Sequence, residues 1–146
     1  MELKFTVRTK IQKPLAEVFS GVHDSATLSQ YFTTGGASGP LDEGTTVIWR
    51  FADHPGDIPV RVKKVERNRL IAFEWGGEGD TPVCRVELTF EPRGEAETLV
   101  SISESGWPET QKGLDASYGN CMGWSQMVSA LKAWLEYGIN LRKGAY

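Results

Sequence analysis

The stretch GNCMGWSQMVSALKAWLEYG, residues 119–138, holds two of the five tryptophans, two of the three methionines and one of the two cysteines. Counting from Trp124, apolar side chains recur at +3, +4, +7, +10 and +11, which is the spacing of one face of an α-helix. The residues on this stripe are Met127, Val128, Leu131, Trp134 and Leu135. A stripe this continuous predicts a long helix with one face buried against a larger apolar surface.

Strand-like segments earlier in the chain can supply that surface. Leu3, Phe5 and Val7 alternate with polar residues, and TTVIWRF, DIPVRVKKVE, LIAFEW, VCRVELTF and ETLVSISE follow with similar alternation. The connections between these runs are short, so we expect an antiparallel meander. The alternation changes parity near Lys63–Lys64, which predicts a bulge there.

Two short helices are expected between the first strand and the meander. Pro14 suits a first helical turn ahead of the apolar positions in LAEVFSGV, and Asp24 is a good N-cap for SATLSQYF. TTGGASGPLDEG then predicts turns with room for a short strand. At the other end of the chain, Arg142 and Lys143 suit the last turn of the long helix, and Gly144 can end it.

Composition narrows the function classes. The chain has 146 residues, 40% of them apolar, and a net charge of −3, which fits one domain over residues 1–146, and the strand and helix patterns make it α+β. No Lys/Arg cluster marks a nucleic-acid surface, and no apolar run is long enough for membrane insertion. MELKFTVRTK lacks the features of a signal peptide, and two distant cysteines suit a reducing compartment, so we expect a cytoplasmic protein.

The order of the segments, together with several motifs, resembles the START-like (SRPBCC) superfamily, specifically the homologues of the activator of heat-shock chaperone ATPase. The motifs are IQKPLAEVFSGVHD, LSQYF, LIAFEW, ISESGWPE and GWSQMVSALKAWLE. The resemblance implies a helix-grip fold, in which a curved antiparallel sheet wraps the C-terminal helix and leaves a deep cavity. Tyr31–Phe32 replaces a Trp-Phe pair common in that family. Asn120 stands where many members carry a His, and an amide cannot act as a general base near neutral pH.

Polar residues interrupt the helix stripe towards its N-terminal end, at Ser117, Asn120 and Cys121. Such a gradient fits a pocket for an amphipathic ligand, although the first turns of the helix could instead simply emerge into solvent. Gly119 and Gly123 indicate either close backbone packing or space left for a ligand, unless the helix starts later and Gly119 lies in a loop.

A carboxylate is the second polar feature of the expected pocket. Glu104 has the parity of Val100 and Ile102 and can therefore face inwards, although a charged residue at a strand end is more often solvated or ion-paired. Trp107 can close one end of the cavity or lie on the surface. The complete set of predicted ligand-binding residues is Trp49, Phe51, Phe73, Trp75, Val86, Leu88, Ile102, Glu104, Asn120, Cys121, Trp124, Met127, Val128 and Leu131.

Three functions remain open at this level. The first is a non-catalytic binding module, in which an apolar or amphipathic molecule such as a lipid, polyketide or aromatic metabolite lies between sheet and helix. The second is a stress-related protein that contacts a chaperone, as a monomer or weak dimer. The third is a cyclase or hydrolase that uses Glu104, the one weak catalytic candidate. We expect no cofactor and no metal, because His23, His54, Cys84 and Cys121 are scattered without ligand spacing.

Overall fold

Alternating apolar segments form a seven-stranded antiparallel sheet in the computed structural model, which describes residues 1–145. The strand order is β1-β7-β6-β5-β4-β3-β2, so β2 to β7 form a meander and β1 closes it against β7. The strands are β1 (Leu3–Ile11), β2 (Gly36–Ala37), β3 (Thr46–Phe51), β4 (His54–Glu66), β5 (Leu70–Trp75), β6 (Cys84–Pro92) and β7 (Thr98–Trp107).

Three helices accompany the sheet: α1 (Leu15–His23), α2 (Ser25–Tyr31) and α3 (Gln111–Tyr137). The 27 residues of α3 make a rod about 40 Å long, which packs along β1 and β7 and also contacts α1 and α2. Within residues 1–145, no helix is both long and apolar enough to cross a bilayer. The arrangement confirms the predicted α+β helix-grip fold, with a curved antiparallel sheet around a long C-terminal helix.

Local sequence signals account for several details. The register of β4 against β5 shifts between Val62 and Lys64, where the change of parity predicted a bulge. The glycine-rich segment contains the short strand β2. His54 begins β4, since Phe51 and His54 pair across a tight β3–β4 turn.

The core lies between the apolar face of the sheet and the helices. The apolar stripe of α3 contributes Trp124, Met127, Val128 and Leu131, each at most 4% exposed. These side chains belong to one apolar cluster with buried residues from β1 and β3 to β7, and Ala37 of β2 packs against it. The stripe is therefore chiefly what closes the sheet, as its periodicity predicted.

The C-terminal end of α3 differs from the prediction. The helix ends at Gly138, whose φ of 67° is left-handed and whose N–H bonds back to Ala133 and Trp134 carbonyls, rather than at Gly144. Arg142 consequently lies beyond the helix and does not complement its dipole. Its guanidinium instead bonds Asp53 at 2.7 Å and lies 5.6 Å from the centre of the Phe51 ring.

Asp24 caps α2, as predicted, by accepting hydrogen bonds from the Thr27 backbone N–H at 3.0 Å and the Thr27 hydroxyl at 2.7 Å. These bonds from Thr27 hold the pKa of the Asp24 carboxyl below its ordinary value. A lowered pKa in the folded state contributes stability above the unfolded-state pKa, and this contribution is lost as pH falls through the folded value. We therefore expect Asp24→Ala to lower the free energy of unfolding by about 1 kcal/mol at pH 7.

The pH dependence of the free energy of unfolding supplies the control for the Asp24 cap. Asp24→Asn retains an acceptor at every pH, so its stability should lack this acid-sensitive contribution. Urea unfolding at pH 7 and below pH about 4 measures both variants. A wild-type advantage over Asp24→Ala that stays constant into acid would show that the carboxylate is not the capping group.

Candidate functional site

A buried carboxylate surrounded by N–H donors lies against the middle of α3. Glu104 is 1% exposed, and its oxygens accept hydrogen bonds from the indole nitrogens of Trp124 and Trp75, both at 2.8 Å. The side-chain nitrogen of Asn120 lies 3.2 Å from Oε1 and 3.0 Å from Oε2. Glu104, Asn120, Trp75 and Trp124, named here the carboxylate cluster, thus join two strands to the helix.

Strand register and helix periodicity bring the carboxylate cluster together. Glu104 pairs with Val86 of β6 and Phe5 of β1, so it extends the inward-facing row of β7. Trp75 ends β5 two strands away. Asn120 and Trp124 are four residues apart on α3 and therefore share one helix face.

Two opposing effects act on the Glu104 carboxyl. Burial raises its pKa, because the charged form loses its hydration, while the hydrogen bonds from Trp75, Trp124 and Asn120 lower it. The net direction is upwards. Because all three partners donate, the cluster is nevertheless arranged around an acceptor, as an ionised carboxylate requires.

A cleft with two lobes borders the carboxylate cluster. The first lobe has a volume of about 470 Å³ and extends towards Pro82, Cys84 and Trp107, and the second, about 460 Å³, extends towards Phe32, Phe51 and Arg142. Both lobes are open to solvent, and four residues line both of them: His54, Ile58, Trp75 and Asn120. Each volume suits a small organic molecule.

Two glycines of α3 leave free space beside the second lobe. Gly119 and Gly123 lie inside the helix and line this lobe, and a Cβ placed on either would meet no atom within 4 Å. The helix begins eight residues before Gly119, which removes the alternative that this residue lies in a loop. The pair therefore leaves a shallow groove next to Trp124 and does not serve close backbone packing.

Alanine substitutions at two glycines of α3 are expected to change the free energy of unfolding in opposite directions. We expect Gly119→Ala to raise the free energy of unfolding by about 0.5–1 kcal/mol, since Ala favours a helix interior and its Cβ meets open space. Gly113→Ala is the matched control and should lower it, because the added Cβ would lie 2.1 Å from the Pro108 carbonyl oxygen. Urea denaturation measures both, and a destabilised Gly119→Ala would contradict the open groove.

The family follows from a sequence comparison. The sequence model described as "Activator of Hsp90 ATPase homolog 1-like protein" matches residues 12–136, most of the chain. The protein belongs to this family. The resemblance drawn from the sequence motifs is thereby confirmed.

Solved structures share the fold of this chain. Protein SSP2350 from Staphylococcus saprophyticus aligns with a TM-score of 0.79 and 24% identity, over 95% of this chain and 96% of that one. DynU16, a protein of the dynemicin biosynthetic locus, aligns with a TM-score of 0.79 and 25% identity, over 92% of this chain but 48% of its own. The Aha1 dimer from Colwellia psychrerythraea aligns with a TM-score of 0.77 and 22% identity, over 92% and 97%. No curated protein sequence matches the chain.

For this family member, the predicted ligand-binding residues divide into two groups. Phe51, Trp75, Asn120 and Trp124 line the lobes, and Glu104 lies beneath them in hydrogen-bond contact with three of the four. The other apolar residues lie in the core and line neither lobe: Trp49, Phe73, Val86, Leu88, Ile102, Met127, Val128 and Leu131. Cys121 is half-buried and also lies outside both lobes.

Several lobe residues escaped the sequence analysis. His54 and Ile58 occupy the start of β4, where an irregular pairing with β3 obscures which face each side chain takes. Arg142 lies past the helix end, and only the tertiary structure brings it to Phe51 and Asp53. Trp107 had two possible positions, and the structure places it at 7% exposure, where it stacks on Phe5 and lines the first lobe.

The thiols and histidines show no metal-binding geometry. Burial, with a contribution from the Glu104 charge, raises the pKa of the Cys84 thiol to about 12. A thiol with so high a pKa carries almost no thiolate at neutral pH and is a poor nucleophile or ligand. Within residues 1–145, no three His, Cys, Asp or Glu side chains are grouped as a metal site would require.

Proposed function

We propose that the protein is a binding module for a small aromatic or amphipathic molecule, held in the two-lobed cleft beside the carboxylate cluster. The observation that carries this proposal is the groove at Gly119 and Gly123, which lies next to the indole of Trp124. Glycine at each of these two helical positions lowers stability by about 1 kcal/mol relative to alanine. A ligand that occupies the groove would explain why glycine is present there.

Aromatic surface supplies the driving force. Trp75 and Trp124 lie with ring centres 5.5 Å apart, and Phe32 lies 5.6 Å from Trp124. The indole nitrogens of Trp75 and Trp124 are bonded to Glu104, which fixes both rings. Trp75 is half-buried and lines both lobes, so it supplies most of the open aromatic surface, whereas Trp124 is 2% exposed and forms part of the wall. Burial of apolar ligand surface here contributes about 25 cal/mol per Å², with little side-chain ordering to offset it.

The comparison with DynU16 supports a small-molecule role, since that protein comes from a biosynthetic locus. The match covers about half of DynU16, so it supports a class of ligand and no particular compound. Glu104 touches neither lobe directly, and a bound molecule would meet Asn120 and Trp75 first. The binding role therefore fits the geometry better than direct catalysis by Glu104 does.

Nuclear magnetic resonance of ¹⁵N-labelled indole groups tests the proposal, with 2-naphthol as the probe. We expect the probe to shift the N–H signals of Trp75 and Trp124, assigned through Trp75→Phe and Trp124→Phe, and to leave that of Trp134 in place. Trp134 is the internal control, since it lies on α3 but outside both lobes. Unmoved Trp75 and Trp124 signals at saturating probe would refute a site in this cleft.

Two variants locate the site further. Gly123→Leu fills the second lobe and should weaken probe binding at least tenfold. Tyr118→Leu changes an exposed residue of α3 outside the lobes and should leave binding unchanged. Equal binding by both variants would place the probe elsewhere on the protein.

A chaperone contact is the second candidate, and the family description supports it. Tyr118 and Met122 on α3 are 63% and 62% exposed, and large exposed side chains of this kind are common in protein interfaces. We expect Tyr118→Ala to weaken any effect of the protein on the ATPase rate of an Hsp90 chaperone. An unchanged ATPase rate with wild-type protein would remove this candidate.

A further inference from the structure

The orientation of the Asn120 amide is fixed by its partner. The Asn120 side-chain nitrogen lies 3.0 and 3.2 Å from the two Glu104 oxygens. Each Glu104 oxygen already accepts from an indole N–H and acts as an acceptor at this site, so the NH₂ group of Asn120 faces it. The reverse orientation would set the amide oxygen against two carboxylate oxygens and is disfavoured.

The amide oxygen of Asn120 is left as a free acceptor by this arrangement. Among the described residues no side chain or backbone group donates to it, and Asn120 is half-buried and lines both lobes. A half-buried acceptor without a protein partner discriminates between ligands, because a ligand that displaces its water must replace the lost hydrogen bond.

Other polar groups of the cleft are already engaged or lie further out. The indole N–H groups of Trp75 and Trp124 donate to Glu104. Asp57 pairs with Arg50 at 2.6 Å, and His54 is exposed at the rim, where water competes with a ligand. Asn120 is thus the polar group best placed to form a hydrogen bond with a ligand that lies between the lobes.

We propose that Asn120 selects aromatic ligands carrying a hydrogen-bond donor, such as a phenol, hydroxyl or ring N–H, with its amide oxygen as the acceptor. The selection rests on the proposed binding function and adds the ligand class to it. Glu104 acts as a positioning residue in this scheme, since it holds the amide with the oxygen turned towards the cleft. The apolar surface of the lobes, chiefly the half-buried ring of Trp75, binds the aromatic body and does not discriminate by donor.

Matched probes test the selection: 2-naphthol carries the donor, and 2-methoxynaphthalene keeps the oxygen and the rings but lacks it. Indole-signal titrations of the wild type should give 2-naphthol about a tenfold tighter dissociation constant, as one hydrogen bond provides. In Asn120→Leu the two constants should come within about twofold, mainly through weaker 2-naphthol binding. Binding of 2-methoxynaphthalene confirms in the same experiment that the variant is folded.

The outcomes separate the two proposals. Equal binding of both probes by the wild type, or an undiminished preference in Asn120→Leu, would overturn the selection by Asn120 and leave the binding cleft standing. Binding of neither probe by the wild type would overturn the proposed function itself. Should Asn120→Leu fail to fold, Asn120→Ser shortens the side chain and should show the same loss of preference.

Discussion

Glu104→Ala is expected to lower the free energy of unfolding by about 3 kcal/mol, one of the two largest effects we predict. The substitution removes an acceptor that serves Trp75, Trp124 and Asn120, and it leaves their N–H groups in a site that is 1% exposed at Glu104. Each unsatisfied buried donor costs about 1–3 kcal/mol, and partial access of Asn120 to water keeps the total below a simple sum. Urea unfolding followed by tryptophan fluorescence measures the loss.

A matched control and a pH series sharpen this test. Glu87→Ala removes a half-exposed carboxylate of β6, paired at 3.0 Å with an Arg85 that is also partly exposed, and should change stability by less than about 0.5 kcal/mol.

Burial raises the folded-state pKa of Glu104, so the stability that Glu104 contributes is fully present below the unfolded pKa and declines as pH rises through the folded value. The stability of the wild type relative to Glu104→Gln should therefore decrease from pH about 4 towards pH 8.

The opposite pH trend would be informative as well. A wild-type advantage over Glu104→Gln that increases with pH would mean that the indole and amide donors outweigh burial. The folded-state pKa of Glu104 would then lie below its ordinary value, which would contradict our assignment of the dominant effect.

Leu131→Ala is expected to cost about 3–4 kcal/mol, because Leu131 is completely buried at the centre of the α3 stripe. The substitution removes the transfer free energy of the deleted carbon atoms. It also leaves a cavity, because the packed neighbours cannot move far enough to fill it. Leu141→Ala is the control, since Leu141 is 49% exposed and should lose less than about 0.5 kcal/mol. Both free energies come from the same urea experiment.

The size of the Leu131 effect also reports on the space between sheet and helix. Leu131 was predicted to line a deep cavity, and a side chain beside an existing void loses fewer contacts when it is shortened. A cost below about 1.5 kcal/mol would indicate such a void at this level of α3. The full cost, with unchanged 2-naphthol binding, would restrict the ligand site to the cleft at Asn120.

Much of the fold could be predicted from the sequence, because the signals for it are local. Alternation along Leu3–Val7 and the later runs specified strands, and the spacing from Trp124 to Leu135 specified the face of α3. The alternation of β7 alone was enough to predict that Glu104 can face inwards, and side-chain chemistry alone was enough to predict the helix cap at Asp24. Each of these signals spans about a dozen residues or fewer.

The carboxylate cluster was only partly predictable. Trp75, Glu104, Asn120 and Trp124 each met a criterion for a pocket, but Trp75 and Glu104 are 29 positions apart, and Glu104 and Trp124 are 20 apart. Their hydrogen bonds depend on strand register and on the rotation of α3 about its axis, which burial patterns constrain only to one face. The sequence analysis therefore identified the members and missed the contacts that connect them.

The sequence by itself determined the order of elements and the buried face of α3, since apolar periodicity lies in consecutive residues, and the resemblance of its motifs to a known family implied the α+β helix-grip architecture. Only the tertiary structure decided that the helix ends at Gly138, that Arg142 reaches Asp53, and that Glu104 fixes the amide of Asn120. The physical reason is the range of the interactions involved. Burial selects a face of each element, whereas a hydrogen bond at about 3 Å requires elements far apart in the chain to meet at one position and angle.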